Sequence, residues 1–196
     1  MLVAAAVALA VPLGCGGGSD ASQQRTPGAP NSGEPSTKGT NRPAAIYAAV
    51  VRQLVTKDHT FGGADPGFQV VYVLDGVVVD AADPSKSPSE HDPKEPFSHD
   101  MKDGVRFLSK LADLPPVEFV ASRHSVVAGA SASSPGQVKN GGVLISLGPI
   151  EPDGKMVEVE ASLWINGLAG TWLTYVLDKR DGIWKVTGTT GPMAIS

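Results

Sequence analysis

Apolar and polar positions alternate most regularly in the last third of the chain. Over 156–165, Val157, Val159, Ala161, Leu163 and Ile165 alternate with Glu158, Glu160, Ser162 and Trp164, the period-two mark of a strand with two unlike faces. Asn166-Gly167 is expected to turn the chain into a second strand over 168–177, and Asp181-Gly182 to return it as a third over 183–188, a three-strand antiparallel meander. With a two-residue turn at Asn166-Gly167, Ala161 faces Trp172, Glu160 faces Leu173 and Glu158 faces Tyr175. Such a meander is stable only when other elements cover one of its faces.

Further toward the N-terminus the period changes. Ile46, Tyr47, Val50, Val51, Leu54 and Val55 recur three and four apart, which predicts a helix over 44–58 started by Asn41 and Pro43. Residues 68–81 are β-branched and aromatic, split by Asp75-Gly76, and read as a hairpin. Pro84, Pro88, Pro93 and Pro96 make 82–97 an exposed loop. Ser98 then caps a second helix with Met101, Val105, Leu108 and Leu111 on one face, stopped by Leu114-Pro115-Pro116. Short strands are expected near 117–121 and 142–148, separated by a Ser/Gly/Pro-rich loop over 128–140. Together these elements predict one α+β domain over 43–196, with two helices packed on a curved, mainly antiparallel sheet that ends in the meander.

The stretch LTYVLDKRDGIWKVTG, 173–188, resembles the closing hairpin of domains in the nuclear transport factor 2-like (NTF2-like) superfamily, and the element order extends the likeness over 44–190. A cystatin-like helix-on-sheet fold has a similar order. The NTF2-like resemblance implies a cone-shaped fold with a central pocket. Some enzymes of that superfamily use an Asp/His pair in the pocket for dehydration or isomerisation.

The N-terminus carries a different signal. MLVAAAVALAVPL, 1–13, is apolar throughout and too short to span a bilayer. Gly14 and Cys15 follow. The arrangement resembles the lipobox of bacterial lipoproteins, with Pro12 where that family usually has Leu and no charged residue before Cys15. It implies a signal peptide over 1–14 and a lipidated Cys15, whose two acyl chains give stable anchoring where one would be marginal. The segment from Gly16 to Arg42 has no Val, Ile, Leu, Met, Phe, Tyr or Trp and cannot bury enough apolar surface to offset its ordering entropy. Residues 15–42 are thus expected to be a lipidated cysteine plus a disordered tether, with a root-mean-square span of roughly 30 Å.

Composition narrows the function classes. The chain has 196 residues, 16 Lys plus Arg against 20 Asp plus Glu, and a net charge of −4. That balance argues against nucleic acid as a partner. A single cysteine rules out a disulfide framework and a multi-cysteine zinc site. Of the four histidines, His59, His91 and His99 each adjoin an aspartate, as Asp58-His59, His91-Asp92 and His99-Asp100; His124 does not. Histidine beside carboxylate is the usual material for acid–base work, yet neighbours in sequence point different ways. Asp58 and His59, next to Gly62-Gly63, rank first as catalytic candidates. The spacing His91-Asp92 to His99-Asp100 is no established ligand pattern, so no metal and no cofactor are expected. No G-x-S-x-G elbow occurs, and Gly188-Thr189-Thr190-Gly191 lacks the lysine of a phosphate loop.

The aromatic residues of the meander offer a pocket instead. Trp172 and Tyr175 are candidates to hold a small apolar ligand, with Glu158 or Glu160 as its polar group. The leading expectation is a lipoprotein on the extracytoplasmic face of the cell membrane, presenting a domain that binds a small apolar ligand or another envelope protein, without catalysis. The rivals are an NTF2-like lyase or isomerase with Asp58 or His59 as base, and a structural module that adds a strand to a partner.

Overall fold

A helix buried on nearly all sides organises the domain. In the computed structural model, which describes residues 41–61, 66–86, 92–93, 95–131 and 133–196, helix α1 spans Arg42–Thr56 and buries Ala44, Ile46, Tyr47, Ala48, Val50, Val51, Leu54 and Val55. It starts two residues earlier than the periodicity predicts, because Pro43 fits the first turn of a helix. Arg42, expected in the tether, instead lies in the helix with its guanidinium 5.4 Å from the Trp184 ring centroid. The expected signal peptide, Cys15 and the rest of the tether lie outside the described residues.

Eight strands form one mixed sheet: β1 (Val71–Val77), β2 (Val117–Val120), β3 (Val127–Ser131), β4 (Ser134–Val138), β5 (Val143–Asp153), β6 (Met156–Asn166), β7 (Ala169–Arg180) and β8 (Ile183–Ile195). Its order is β2-β1-β5-β6-β7-β8, and the β3–β4 hairpin joins β6 through Gln137 and Asn166. The two β1 pairings are parallel and the others antiparallel. Helices α2 (His99–Leu111) and α3 (Arg123–Val126) complete the α+β domain. No helix among the described residues is long and apolar enough to cross a membrane.

Three expectations change. Residues 68–81 hold a single strand, β1, and no hairpin. Asp75-Gly76 lies inside β1, where Asp75 accepts hydrogen bonds from the Phe97 amide at 3.1 Å and from Lys102 Nζ of α2 at 2.9 Å. Gly76 has φ 150° where the β1–β5 register shifts, a conformation that a side chain rarely adopts. The loop predicted over 128–140 is the β3–β4 hairpin, anchored by the buried Val126 and Val138 despite its serine-rich strands. In α2 the buried stripe is Met101, Val105 and Ser109, so Leu111, expected inside, faces solvent. Ser98 does cap that helix, its hydroxyl accepting from the Met101 amide.

The meander is present, with a different register. Asn166 pairs with Ala169, so Gly167 and Leu168 form the turn, and the ladder shifts again between Trp164 and Asn166. Ala161 therefore pairs with Leu173, Glu160 with Thr174 and Glu158 with Val176, while Trp172 pairs with Ser162 and Tyr175 with Val159. A one-residue change of this kind exchanges which side chains share a face.

Two cores result. On the helix side, α1 packs over Val71 and Val73 of β1, the Val143, Ile145 and Leu147 face of β5, and Leu173, Tyr175 and Leu177 of β7. On the outer side, Val70, Tyr72, Leu74, Val78, Ala81, Val126, Val138, Leu144 and Trp164 make a smaller cluster. Strand β1 contributes to both, which explains its unbroken apolar run, since a parallel strand is covered on each face.

Candidate functional site

The catalytic candidates sit on the helix side, beyond the end of α1. Asp58 Oδ2 accepts two hydrogen bonds, from Tyr175 Oη at 2.9 Å and Gln53 Nε2 at 3.0 Å. These tie the end of α1 to β7. Burial first, then the charge of Asp58 and the hydrogen bond to it, push the Tyr175 hydroxyl far above the ordinary tyrosine range. His59 is 7% exposed. Its Nδ1 accepts from the Phe61 amide at 3.2 Å, and its ring centroid lies 5.9 Å from that of Phe61 and 6.4 Å from that of Phe68. Asp58 and His59 are thus engaged in holding a chain segment against the sheet, and neither lines the two clefts of the outer face.

The register separates the expected ligand-binding residues. Tyr175 points into the helix-side core with Asp58. Trp172, Glu158 and Glu160 lie on the outer face, where β6 presents Trp164, Ser162, Glu160 and Glu158 in succession and β7 presents Trp172 and Thr174.

One end of that face holds a cleft of about 250 Å³. Trp164 and Trp172 wall it, with Leu74 and Leu144 behind and Pro84, Lys86 and Pro135 at its margin. Trp172 covers Gly170, where a Cβ would lie 2.8 Å from the ring's Cζ3 and nearer still to Cη2. The ring can lie there only because position 170 has no side chain. On the other side Arg123 stacks its guanidinium 3.4 Å from the Trp164 ring centroid, a close cation–π pair. Its Nη2 donates to the Pro135 carbonyl at 3.2 Å and its amide to Asp92 Oδ1 at 3.3 Å. Burial lowers the guanidinium to about 10, against the opposing pull of Asp92, so Arg123 stays a cation at neutral pH.

Ser146 and Ser162 also line the cleft. They are direct cross-strand partners on β5 and β6, 6% and 4% exposed. Among the described residues the solvent-excluded side-chain atoms without a hydrogen-bond partner are Ser109 Oγ and Thr171 Oγ1, not these two hydroxyls.

Beyond these serines lies a second cleft of about 240 Å³, lined by Val79, Asp80, Pro149, Glu151, Glu158, Glu160 and Thr174. Glu158 Oε1 accepts from the Thr190 hydroxyl at 3.0 Å. The side chains are too dispersed for a metal: no group of three or more His, Cys, Asp or Glu among the described residues could hold one. Of the other histidines, His99 opens α2 at the surface and His124 is exposed in α3; His91 lies outside the described residues.

Sequence reasoning missed Arg123, Lys86, Ser146 and Ser162. A signal existed for the serines: Ser146 interrupts the apolar run Val143–Leu147, and Ser162 continues the polar set of β6. None existed for Arg123, which topology alone brings over Trp164. Compared with known proteins, the chain matches no family model, no curated protein and no solved structure.

Proposed function

We propose that this protein is an extracytoplasmic lipoprotein, anchored through Cys15, whose α+β domain binds a small amphipathic anion in the cleft between Trp164 and Trp172. The observation that carries the reading is the Arg123–Trp164 stack at a cleft walled by Trp164 and Trp172 and lined by the hydroxyl side chains of Ser146 and Ser162. A ligand that presented an aromatic or aliphatic body to the tryptophans and an anionic group to Arg123 and Lys86 would also give those hydroxyls an acceptor. Binding is favoured over lyase or isomerase chemistry because Asp58 Oδ2 is held by Tyr175 and Gln53. The reading extends to the fold family: an NTF2-like or cystatin-like cone is supported by α1 lying on the long antiparallel strands of the meander, though the parallel β2-β1-β5 run is no part of that resemblance.

Titration of the full chain with phenylpropionate, followed by tryptophan fluorescence, tests the binding site. A saturable change that disappears in Trp172→Ala and Arg123→Gln is expected, and a flat titration of the wild type overturns the reading. For the anchor, Cys15→Ala is expected to move the protein from the membrane fraction to the soluble fraction, and retention of the variant in membranes would refute it.

A further inference from the structure

The two clefts abut. Ser162 and Glu160 are successive outward positions on β6, as are Trp172 and Thr174 on β7. A single stretch of chain borders both: Pro84 and Lys86 line the first cleft, Val79 and Asp80 the second. Lys86 Nζ and Asp80 Oδ2 lie 3.5 Å apart, so an ion pair bridges the stretch where the clefts meet. The surface is therefore one groove running along β6.

Its charge is polarised along its length. Among the described residues the first cleft is lined by Arg123 and Lys86, with the carboxylate of Asp92 beside Arg123 but not in the lining, and the second by Asp80, Glu151, Glu158 and Glu160 with no cation. Ser146 and Ser162 lie between the two ends. A strand rises about 3.3 Å per residue, so Ser162 to Glu158 spans about 13 Å and Trp164 to Glu158 about 20 Å. A surface with no extended ligand has no physical reason to keep like charges together at each end, since mixing the signs lowers their mutual repulsion.

We infer that the groove binds an elongated zwitterion, a short peptide with its C-terminal carboxylate at Arg123 and Lys86 and an amine at Glu158 and Glu160. The span selects this class. An extended peptide covers about 3.3–3.6 Å per residue, so roughly four residues reach from Trp164 to Glu160 and roughly six to Glu158. The zwitterionic headgroup of a phospholipid holds its charges only a few ångström apart and cannot engage both ends. An aromatic side chain at the peptide's C-terminus places its ring between Trp164 and Trp172. Backbone amides of the middle residues pass over Ser146 and Ser162, whose hydroxyls can donate or accept.

This inference rests on the binding reading above, and the test separates the two. The probe is a tetrapeptide with lysine at its free N-terminus, two alanines, and phenylalanine at its free C-terminus, titrated calorimetrically into the full chain beside phenylpropionate. The peptide is expected to bind at least tenfold tighter than phenylpropionate. Glu158→Gln with Glu160→Gln, which keeps shape and the Thr190 contact, should weaken the peptide about tenfold and leave phenylpropionate unchanged. Amidating the peptide's C-terminus should weaken it in wild type, and Arg123→Gln should weaken both ligands. If phenylpropionate binds while the peptide binds no tighter and ignores the double variant, the zwitterion inference is wrong and the simpler reading survives. If neither ligand binds, both fall together.

Discussion

Replacing Tyr47 by Phe isolates one hydroxyl in the core and gives a pH signature with a worked sign. Tyr47 is 3% exposed on α1, and its hydroxyl donates to the Gly148 carbonyl at 3.0 Å. Gly148 lies where the β5–β6 ladder shifts between Leu147 and Ile150, so that carbonyl has lost its regular place in the sheet. At neutral pH the variant should be less stable by about 1–2 kcal/mol, through a lost hydrogen bond and an unpaired acceptor. Burial pushes the Tyr47 hydroxyl up from 10 to about 12. A folded-state value above the unfolded one means the contribution is whole below pH 10 and is lost as pH rises toward 12. At about 1.4 kcal/mol per unit, the wild type loses about 1.4 kcal/mol from this group by pH 11, and the Phe variant loses none there. Tyr175 titrates in both proteins and cancels from the difference. Urea denaturation at pH 8, 10 and 11 should show the stability gap closing above pH 10 and nearly gone at pH 11. A gap that stays constant across that range would refute the reasoning.

Two further substitutions test the helix-side cluster. Tyr175→Phe removes the 2.9 Å hydrogen bond to Asp58 and should cost about 2 kcal/mol in urea denaturation near pH 7, as expected for a bond to a charged acceptor; a loss below 0.5 kcal/mol would mean, by the same principle, that the bond is not formed in solution. His59→Ala should lower stability by about 2 kcal/mol through lost packing against Phe61 and Phe68, while leaving phenylpropionate affinity unaltered. A folded His59→Ala protein that no longer binds would place His59 in the site.

How much of this the sequence disclosed depended on whether an element answers to one period. The alternation of β6 and the three-four spacing of α1 are set by local geometry, and both elements lie where their patterns place them, to within two residues. β1 misled because Asp75-Gly76 is a strong turn signal in isolation. There Asp75 is held by α2 and by the Phe97 amide instead, contacts made across 22 and 27 residues that no local window contains. The β3–β4 hairpin was hidden for the opposite reason: serine, glycine and proline carry little strand preference, and two buried valines hold it in place. The meander's register turned on a single turn residue. That slip put Tyr175 beside Glu158 in expectation, whereas the structure turns Tyr175 toward Asp58 and leaves Trp172 facing Ser162.

The two faces of β6 show why the outer groove, more than the Asp58–His59 cluster, is the place to look for function. On the helix side every position from Val157 to Ile165 is apolar and buried, which is what stability alone requires. On the outer side the same strand carries Trp164, Ser162, Glu160 and Glu158, and β5 sets Ser146 against Ser162. A leucine or valine at each serine would enlarge the outer core by simple extension of Leu144 and Leu74. Sequences depart from locally favourable choices mainly where a site requires it. Here the departures fall in a line, at successive positions on neighbouring strands, between a cation stacked on tryptophan and a bank of carboxylates. The cluster around Asp58 departs from nothing: the Tyr175 hydroxyl ties it to β7 and Gln53 ties it to α1, and its removal should read out in stability.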